Sequence, residues 1–333
     1  MAQIVIGLGT SHGPMLSTPP DQWGQRVAAD RANPRHFYKG RTYTFDALKT
    51  LRSGEHLERH IAPDVWHARH AACRAAIDAL AEVFAAAKPD IAVIVGNDQM
   101  EMFTDAVVPA FAVYWGETME NRWPSPAAMA KWEPGIEIAQ RGRIPPDGAT
   151  YAGAPALGRH LIERAIADGF DVASVKRLRD GLVTMPHAYG FVYRQIMKDR
   201  VVPNVPVALN AFYPPNQPTV RRCYDFGKSL VAAIRSWDSD ARVALIASGG
   251  LSHFVIDEET DQTFLTALRT HAFDRIADLG EATFQSGTSE LKNWVPVAGA
   301  MADLGLKMTV VDYQPCYRSE AGTGNAMGFV YWK

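Results

Sequence analysis

Cysteine is scarce in this chain. Cys73, Cys223 and Cys316 are far apart and odd in number, and no CxxC pair exists. That excludes a disulfide framework and a zinc ribbon, and a reducing, cytoplasmic setting is expected. Long apolar runs are also missing. No window reaches the about 18 consecutive apolar residues of a membrane span. The opening residues, Met1 to His12, put no basic stretch ahead of an apolar one, so no signal peptide is read there. Charge of one sign does not dominate either. The 34 Lys and Arg are set against 36 Asp and Glu, a net charge of −2. With both signs interspersed and no basic stripe, nucleic acid is not expected as a partner. Nucleotide signatures are lacking too. Gly7-Leu8-Gly9 is not a Rossmann fingerprint, and there is neither a P-loop nor a GxSxG elbow.

What the chain does have is apolar residues, 47% of 333, enough for a large core. Length alone suits roughly two domains. Because no linker is visible, one large α/β domain spanning 1–333 is expected. Short apolar runs read as buried strands: Ile4 to Leu8, Ile91 to Val95, Val108 to Tyr114, Asp171 to Val175, Val205 to Asn210, Val243 to Ala247 and Met308 to Tyr313. Between them lie stretches of helical character. In Asp64 to Ala87 the residues Ile77, Leu80, Val83 and Phe84 share one face, and Asp64 is placed to cap the start. Leu157 to Asp168, Thr219 to Ser236, Glu258 to Leu279 and Glu290 to Leu304 are the others. This alternation predicts an α/β fold with a mostly parallel sheet flanked by helices. The first strand, helix and second strand read as a parallel pair joined by a right-handed crossover. Two polar stretches, about 17–62 and 116–150, are read as insertions, the first as a lid or elaborated loop.

Three of the strand-like runs end in polar tips: Ser11-His12, Asn97-Asp98-Gln99 and Ser252-His253. In parallel α/β sheets, sites form beyond the carboxyl ends of strands, so tips distant in sequence can meet on one edge. The pair Gly249-Gly250 suits close approach of backbone to a ligand.

These tips belong to ordered blocks. They are Thr10-Ser11-His12-Gly13-Pro14, Gly96-Asn97-Asp98-Gln99, Pro186-His187-Ala188-Tyr189-Gly190-Phe191, Ala211-Phe212-Tyr213-Pro214-Pro215 and Gly249-Gly250-Leu251-Ser252-His253. The last is followed by Ile256-Asp257-Glu258-Glu259-Thr260-Asp261. In this order, over most of the chain, the sequence resembles the LigB-type (class III) extradiol ring-cleavage dioxygenases. Within them it is most similar to the branch acting on gallate-type substrates, 3-O-methylgallate included. The resemblance implies Fe(II), O2 and a catechol- or gallate-type aromatic acid, with no organic cofactor. It implies His12 as the first iron ligand and Glu259, on the helix after SGGLSH, as the carboxylate ligand. It makes His253 the acid/base for the substrate hydroxyl and places His187 in contact with substrate or oxygen.

The family has Asp-His where this chain has Asp98-Gln99, and an amide oxygen is a poorer Fe(II) ligand than imidazole. Three readings stand: Gln99 ligates through its oxygen; a histidine such as His60, His67 or His70 completes the shell; or iron is not held in the usual way. A carboxylated substrate calls for a cationic clamp, and Arg318, in the polar, glycine-containing loop Tyr317 to Asn325, is the candidate. A homodimer is the default assembly, and a small companion subunit is compatible with the sequence.

Other functions also fit. The same scaffold and iron suit a dihydroxypyridine or aminophenol ring, and a non-enzymatic member would bind metal or protein only. Each residue has a plainer reading as well. Glu259 is by default an exposed helix carboxylate with Glu258 as its rival, His187 a satisfied loop histidine, and Arg318 a surface arginine. Trp115, Trp123 and Trp132 read as core or contact residues before pocket residues.

Overall fold

The apolar runs pair into one mixed sheet. The structure, a computed structural model, describes residues 1–130, 132 and 136–333. The strands are β1 (Gln3–Thr10), β2 (Ile91–Asn97), β3 (Phe111–Tyr114), β4 (Ala173–Val175), β5 (Asn204–Leu209), β6 (Arg242–Ser248), β7 (His253–Val255), β8 (Met308–Tyr317) and β9 (Thr323–Trp332). They lie in the order β7-β9-β1-β6-β2-β5-β3-β4, with β8 also paired to β9. The central four, β1, β6, β2 and β5, run parallel. β9 runs antiparallel to β1, β7 and β8.

The central strands read as continuous apolar runs because both faces are covered. Alternate residues of one strand serve different cores. Val93, Val95, Val243, Leu245 and Ala247 face one side. That side is covered by the helices α2 (Pro155–Ala167), α3 (Val220–Ser236), α4 (Glu258–Arg269) and α5 (Leu291–Asp303). Ile94, Ala244 and Ile246 face the other, against Ile77, Leu80 and Phe84 of the helix α1 (Pro63–Ala87). Each fully buried Val, Leu or Ile is worth roughly 1.5–3 kcal/mol over its exposed state. The strand ends are thereby fixed platforms for the loops beyond them.

Some expectations need correction. β1 and β2 are parallel but not neighbours, because β6 inserts between them and pairs with both. The cap position of the helix Pro63–Ala87 is Ala62, with Pro63 in the first turn, and Asp64 lies inside that turn. The predicted helix from Glu258 to Leu279 breaks into α4 and a short segment, Phe273–Ala277. The glycine-containing tail read as a loop runs straight into β9, which was not expected as a strand. The 17–62 stretch is built rather than structureless. It holds the helices Val27–Ala32 and Phe45–Leu51 and a hairpin pairing His36–Tyr38 with Arg41–Tyr43. In the second stretch, Thr118–Asn121 pairs with Ala149–Ala152. Residues 131 and 133–135 of that stretch lie outside the described residues.

Candidate functional site

The register of the sheet brings three strand tips together. Thr10 lies beside Ser248, and Val95 beside Ala247, so the carboxyl ends of β1, β6 and β2 are level. His12 follows β1, Gln99 follows β2, and Gly249 to His253 follow β6. Glu290 arrives at the cap position of α5. The Gly-Gly turn is obligatory here. A Cβ on Gly249 would sit 2.9 Å from the Glu290 backbone oxygen, and one on Gly250 would sit 2.6 Å from His253 Nδ1.

The hydrogen bonds settle which imidazole nitrogens are free. Ser248 Oγ donates its proton to the Ala188 carbonyl at 2.7 Å. It can therefore only accept from His12 Nδ1, 2.9 Å away. That leaves a lone pair on His12 Nε2. His187 Nδ1 donates to the Glu101 carboxylate at 2.6 Å, and its backbone N–H donates to the same group at 3.0 Å. Its Nε2 is likewise left open. Arg143 of the second insertion pairs with Glu101 at 2.5 Å and holds it in place. His253 Nδ1 donates to the Leu251 carbonyl at 2.8 Å, which turns its Nε2 towards Glu290 Oε1 at 3.5 Å.

His12, His187 and Glu290 each offer one ligand atom, and these atoms all lie within 4.8 Å of one another. His12 Nε2 is buried without a hydrogen-bond partner, although Glu290 Oε2 is only 3.1 Å away. A buried acceptor facing a carboxylate is repelled unless a cation stands between them. Two imidazoles and one carboxylate are a donor set suited to a divalent transition metal. The residues present thus fit a metal ion.

Burial and charge oppose each other here. Burial would push the Glu290 carboxyl up, yet the imidazoles of His253 and His12 hold it well below its usual range. Burial pushes His12 down, outweighing the attraction of Glu290. His187 and His253 are raised despite burial, because Glu101 and Glu290 respectively favour their charged forms. The Glu290 carboxylate also accepts from Asn97 Nδ2 at 3.0 Å and from the Gly250 N–H at 2.8 Å.

A cavity of about 530 Å³ opens onto this group. Its walls include Met15, Trp23 and Ala29 from the first insertion side, Ala139 from the second, and Phe254 and Met327 from the sheet. Both insertions therefore shape the space above the strand tips.

The expected residues separate into two sets. His12, His187, His253 and Gln99 all line the cavity. Glu259 does not: its side chain is 79% exposed and pairs with Lys39 at 2.6 Å. It sits in the solvent-facing first turn of α4, so the expected pairing of Glu259 with His12 is replaced by Glu290. Glu259→Ala is accordingly expected to leave bound metal and the melting midpoint unchanged, as metal analysis and thermal denaturation would show. Gln99 lies beside the carboxylate rather than among the three ligand atoms. Its Nε2 faces Glu290 Oε1 at 3.4 Å and its Oε1 accepts from the Tyr213 hydroxyl at 3.3 Å.

The upstream histidines do not join the group. His60 is hydrogen-bonded to Arg69, His67 pairs with Asp21, and His70 stands at the edge of Trp23. Arg318 lines the cavity, but its guanidinium already forks onto Asp30, with Nε–Oδ2 at 2.6 Å and Nη2–Oδ1 at 2.7 Å. The place foreseen for a substrate carboxylate is filled by this chain's own. Trp123 and Trp132 pair with ring centroids 6.5 Å apart, while Trp115 donates to Ser174 Oγ, and none of the three lines the cavity.

Glu290 and Glu101 were missed from sequence. Glu290 is a lone acid ahead of a long apolar helix, and only its burial marks it. Glu101 follows Gln99 by two residues, and its one signal is proximity to the reactive tip.

A His–His–carboxylate group at the carboxyl edge of a parallel sheet, beneath a cavity of small-molecule size, is a candidate metal centre in an α/β protein. The chain belongs to the family of catalytic LigB subunits of aromatic ring-opening dioxygenases, whose pattern matches residues 69–324. This agrees with the resemblance carried by the ordered blocks. A gallate dioxygenase of Pseudomonas putida is 33% identical over 141 residues, 39% of this chain. The match spans 40% of that relative's length. An uncharacterized protein from Escherichia coli K12 aligns in structure with a TM-score of 0.45 at 16% identity, covering 77% of this chain and 91% of that one. Among the described residues no helix is long and apolar enough to cross a membrane.

Proposed function

We propose that the protein is a non-haem Fe(II) extradiol dioxygenase that opens the ring of a catechol- or gallate-type aromatic compound. The observation that carries this reading is the convergence of His12, His187 and Glu290, with both histidines held in the tautomer that frees Nε2. Family membership and the likeness to a gallate dioxygenase support it. His12, His187 and Glu290 would hold the iron, and His187 takes the place of the imidazole that Gln99 lacks. When bound, iron brings O2 and the two substrate hydroxyls together and acidifies a hydroxyl. Every further task falls to the chain. His253, with Nδ1 tied to Leu251, presents Nε2 as the base for the substrate proton. Gln99 and Asn97 fix the carboxylate through their amides. Met15, Trp23 and Met327 give the ring an apolar wall that excludes water.

One observation favours a second reading of the substrate. With Arg318 neutralised by Asp30, the cavity suits a ring without a carboxylate, such as an aminophenol or a dihydroxypyridine, as well as an acid. Assembly as a homodimer in the cytoplasm is part of the same proposal. The test is anaerobic loading with Fe(II), then oxygen uptake with gallate, 3-O-methylgallate, catechol, an aminophenol and a dihydroxypyridine. One O2 consumed per ring opened is expected for one class. Iron-loaded protein that consumes no O2 with any of them would refute the dioxygenase reading.

A further inference from the structure

At Phe254, backbone and side chain are both held in disfavoured states at the edge of the cavity. The residue lies in β7, directly after His253, with φ at +62°. That is the left-handed region, which a bulky side chain strongly disfavours. Phe254 is also 44% exposed, whereas every other phenylalanine of the chain is buried or half-buried. Its neighbours His253 and Val255 are buried and supply the packing of the strand.

The residue facing Phe254 across the β7–β9 ladder is Gly324, which has no side chain to cover the ring. The ring stands instead edge-on to His253, with centroids 5.1 Å apart and planes at 72°, and 6.4 Å from Phe212. It lines the same cavity as His12, Gln99, His187 and Glu290. Left-handed backbone at a bulky residue is characteristic of positions whose side chain is used. An exposed aromatic face beside the acid/base histidine suits one ligand chemistry, a planar ring met by offset or edge contact.

We infer that Phe254 is a specificity-determining residue that packs on the ring of an aromatic substrate while His253 meets the ring's hydroxyl. The inference deepens the proposed function and rests on it for the ligand. The adjacency is built into the chain. The two side chains belong to consecutive residues of one strand, and the left-handed turn at Phe254 sets the ring on the cavity side instead of leaving it along an ordinary strand edge.

Three variants test this on iron-loaded protein. Phe254→Asn accepts left-handed backbone and removes the ring. Phe254→Leu keeps an apolar group without the aromatic face. Phe254→Tyr keeps the ring. Catechol affinity is measured anaerobically by titration, together with bound iron, the denaturation midpoint, kcat and KM. Phe254→Asn is expected to keep its iron and to melt at or above the parent midpoint, because strain is relieved. Its Kd for catechol is expected to rise about three- to tenfold, the scale of one aromatic contact. KM should rise in step while kcat changes less, Phe254→Leu should fall between, and Phe254→Tyr should match the parent. Unchanged Kd in both Phe254→Asn and Phe254→Leu would overturn the inference. So would a lower midpoint with lost iron in Phe254→Asn, which would make the ring part of the fold. Because Kd needs no turnover, parent protein that binds catechol but consumes no O2 with any of the five rings sinks the dioxygenase reading and leaves Phe254 to be judged on Kd. Parent protein that binds none of the five rings overturns both.

Discussion

Glu290→Gln is expected to yield a folded protein that no longer retains metal. The carboxylate supplies the only negative charge in the proposed ligand set, and both its oxygens act as acceptors. Oε2 accepts from the Gly250 N–H at 2.8 Å, and Oε1 accepts from Asn97 Nδ2 at 3.0 Å. A primary amide has one acceptor and one donor end. In either orientation, the NH2 group of the substituted side chain would meet another buried N–H, an unmade contact costing about 1–3 kcal/mol. That is tolerable in a core of this size. The loss to metal binding is larger. Removing a group that merely orients a ligand weakens binding roughly 10–100-fold, and removing the charged ligand itself should exceed that. Anaerobic Fe(II) titration with a bound-iron assay reads the effect, and circular dichroism confirms the fold. Glu290→Asp, which keeps the charge on a shorter arm, should retain part of the affinity. Near-parental iron binding by Glu290→Gln would remove this residue from the ligand set.

The contrast between Glu290 and Glu259 shows what a single sequence reveals of such a site. Strand tips are legible because a parallel strand buried on both faces is a short apolar run, and its end is marked by the first polar residues, as at His12 and Gln99. The period of Ile77, Leu80 and Phe84 likewise shows the face that meets the sheet. The partner of His12 is a different matter. Glu259 lies in a helix close behind the SGGLSH turn, where the resemblance implies a carboxylate ligand, but its helix turns that residue to solvent. Glu290 is brought in by α5 after the chain has left and returned, and such a return is a tertiary event without a local pattern. The same holds for Asp30 and Arg318, whose ion pair joins the first insertion to the stretch just ahead of β9. An arginine that forks onto its own chain and one that waits for a substrate look identical in sequence. Glycine also misleads near the end of the chain. Gly322 and Gly324 read as loop residues, yet Gly324 lies within β9 and pairs with both Phe254 and Tyr317. Its missing side chain leaves room in the strand.

Replacing His253 should slow turnover by about 10²–10⁴-fold, the usual contribution of a positioned general acid or base, without loss of metal. The two halves of that expectation come from different contacts. Metal is spared because His253 Nδ1 is committed to the Leu251 carbonyl and no atom of the residue belongs to the convergent group of ligand atoms. Turnover suffers because Nε2 is the ring nitrogen left on the Glu290 side. The ring is also held rigidly. A Cβ on Gly287 would lie 2.7 Å from its Cδ2, and one on Gly250 would lie 2.6 Å from its Nδ1, so two glycine backbones clamp it. Little reorganisation is needed when the proton moves.

In the metal-free protein Glu290 raises the imidazole despite its burial. As pH climbs through the titration of His253 it becomes the base, and the rate should rise with it. In His253→Ala this rising limb of the pH profile should vanish. Added imidazole, small enough to enter the space left by the ring, should restore part of the rate and the limb together. A structural role predicts neither the rescue nor the change in profile. Loss of iron in His253→Ala would instead make this histidine a ligand. A full parental rate with an unchanged profile would move the proton chemistry to another group.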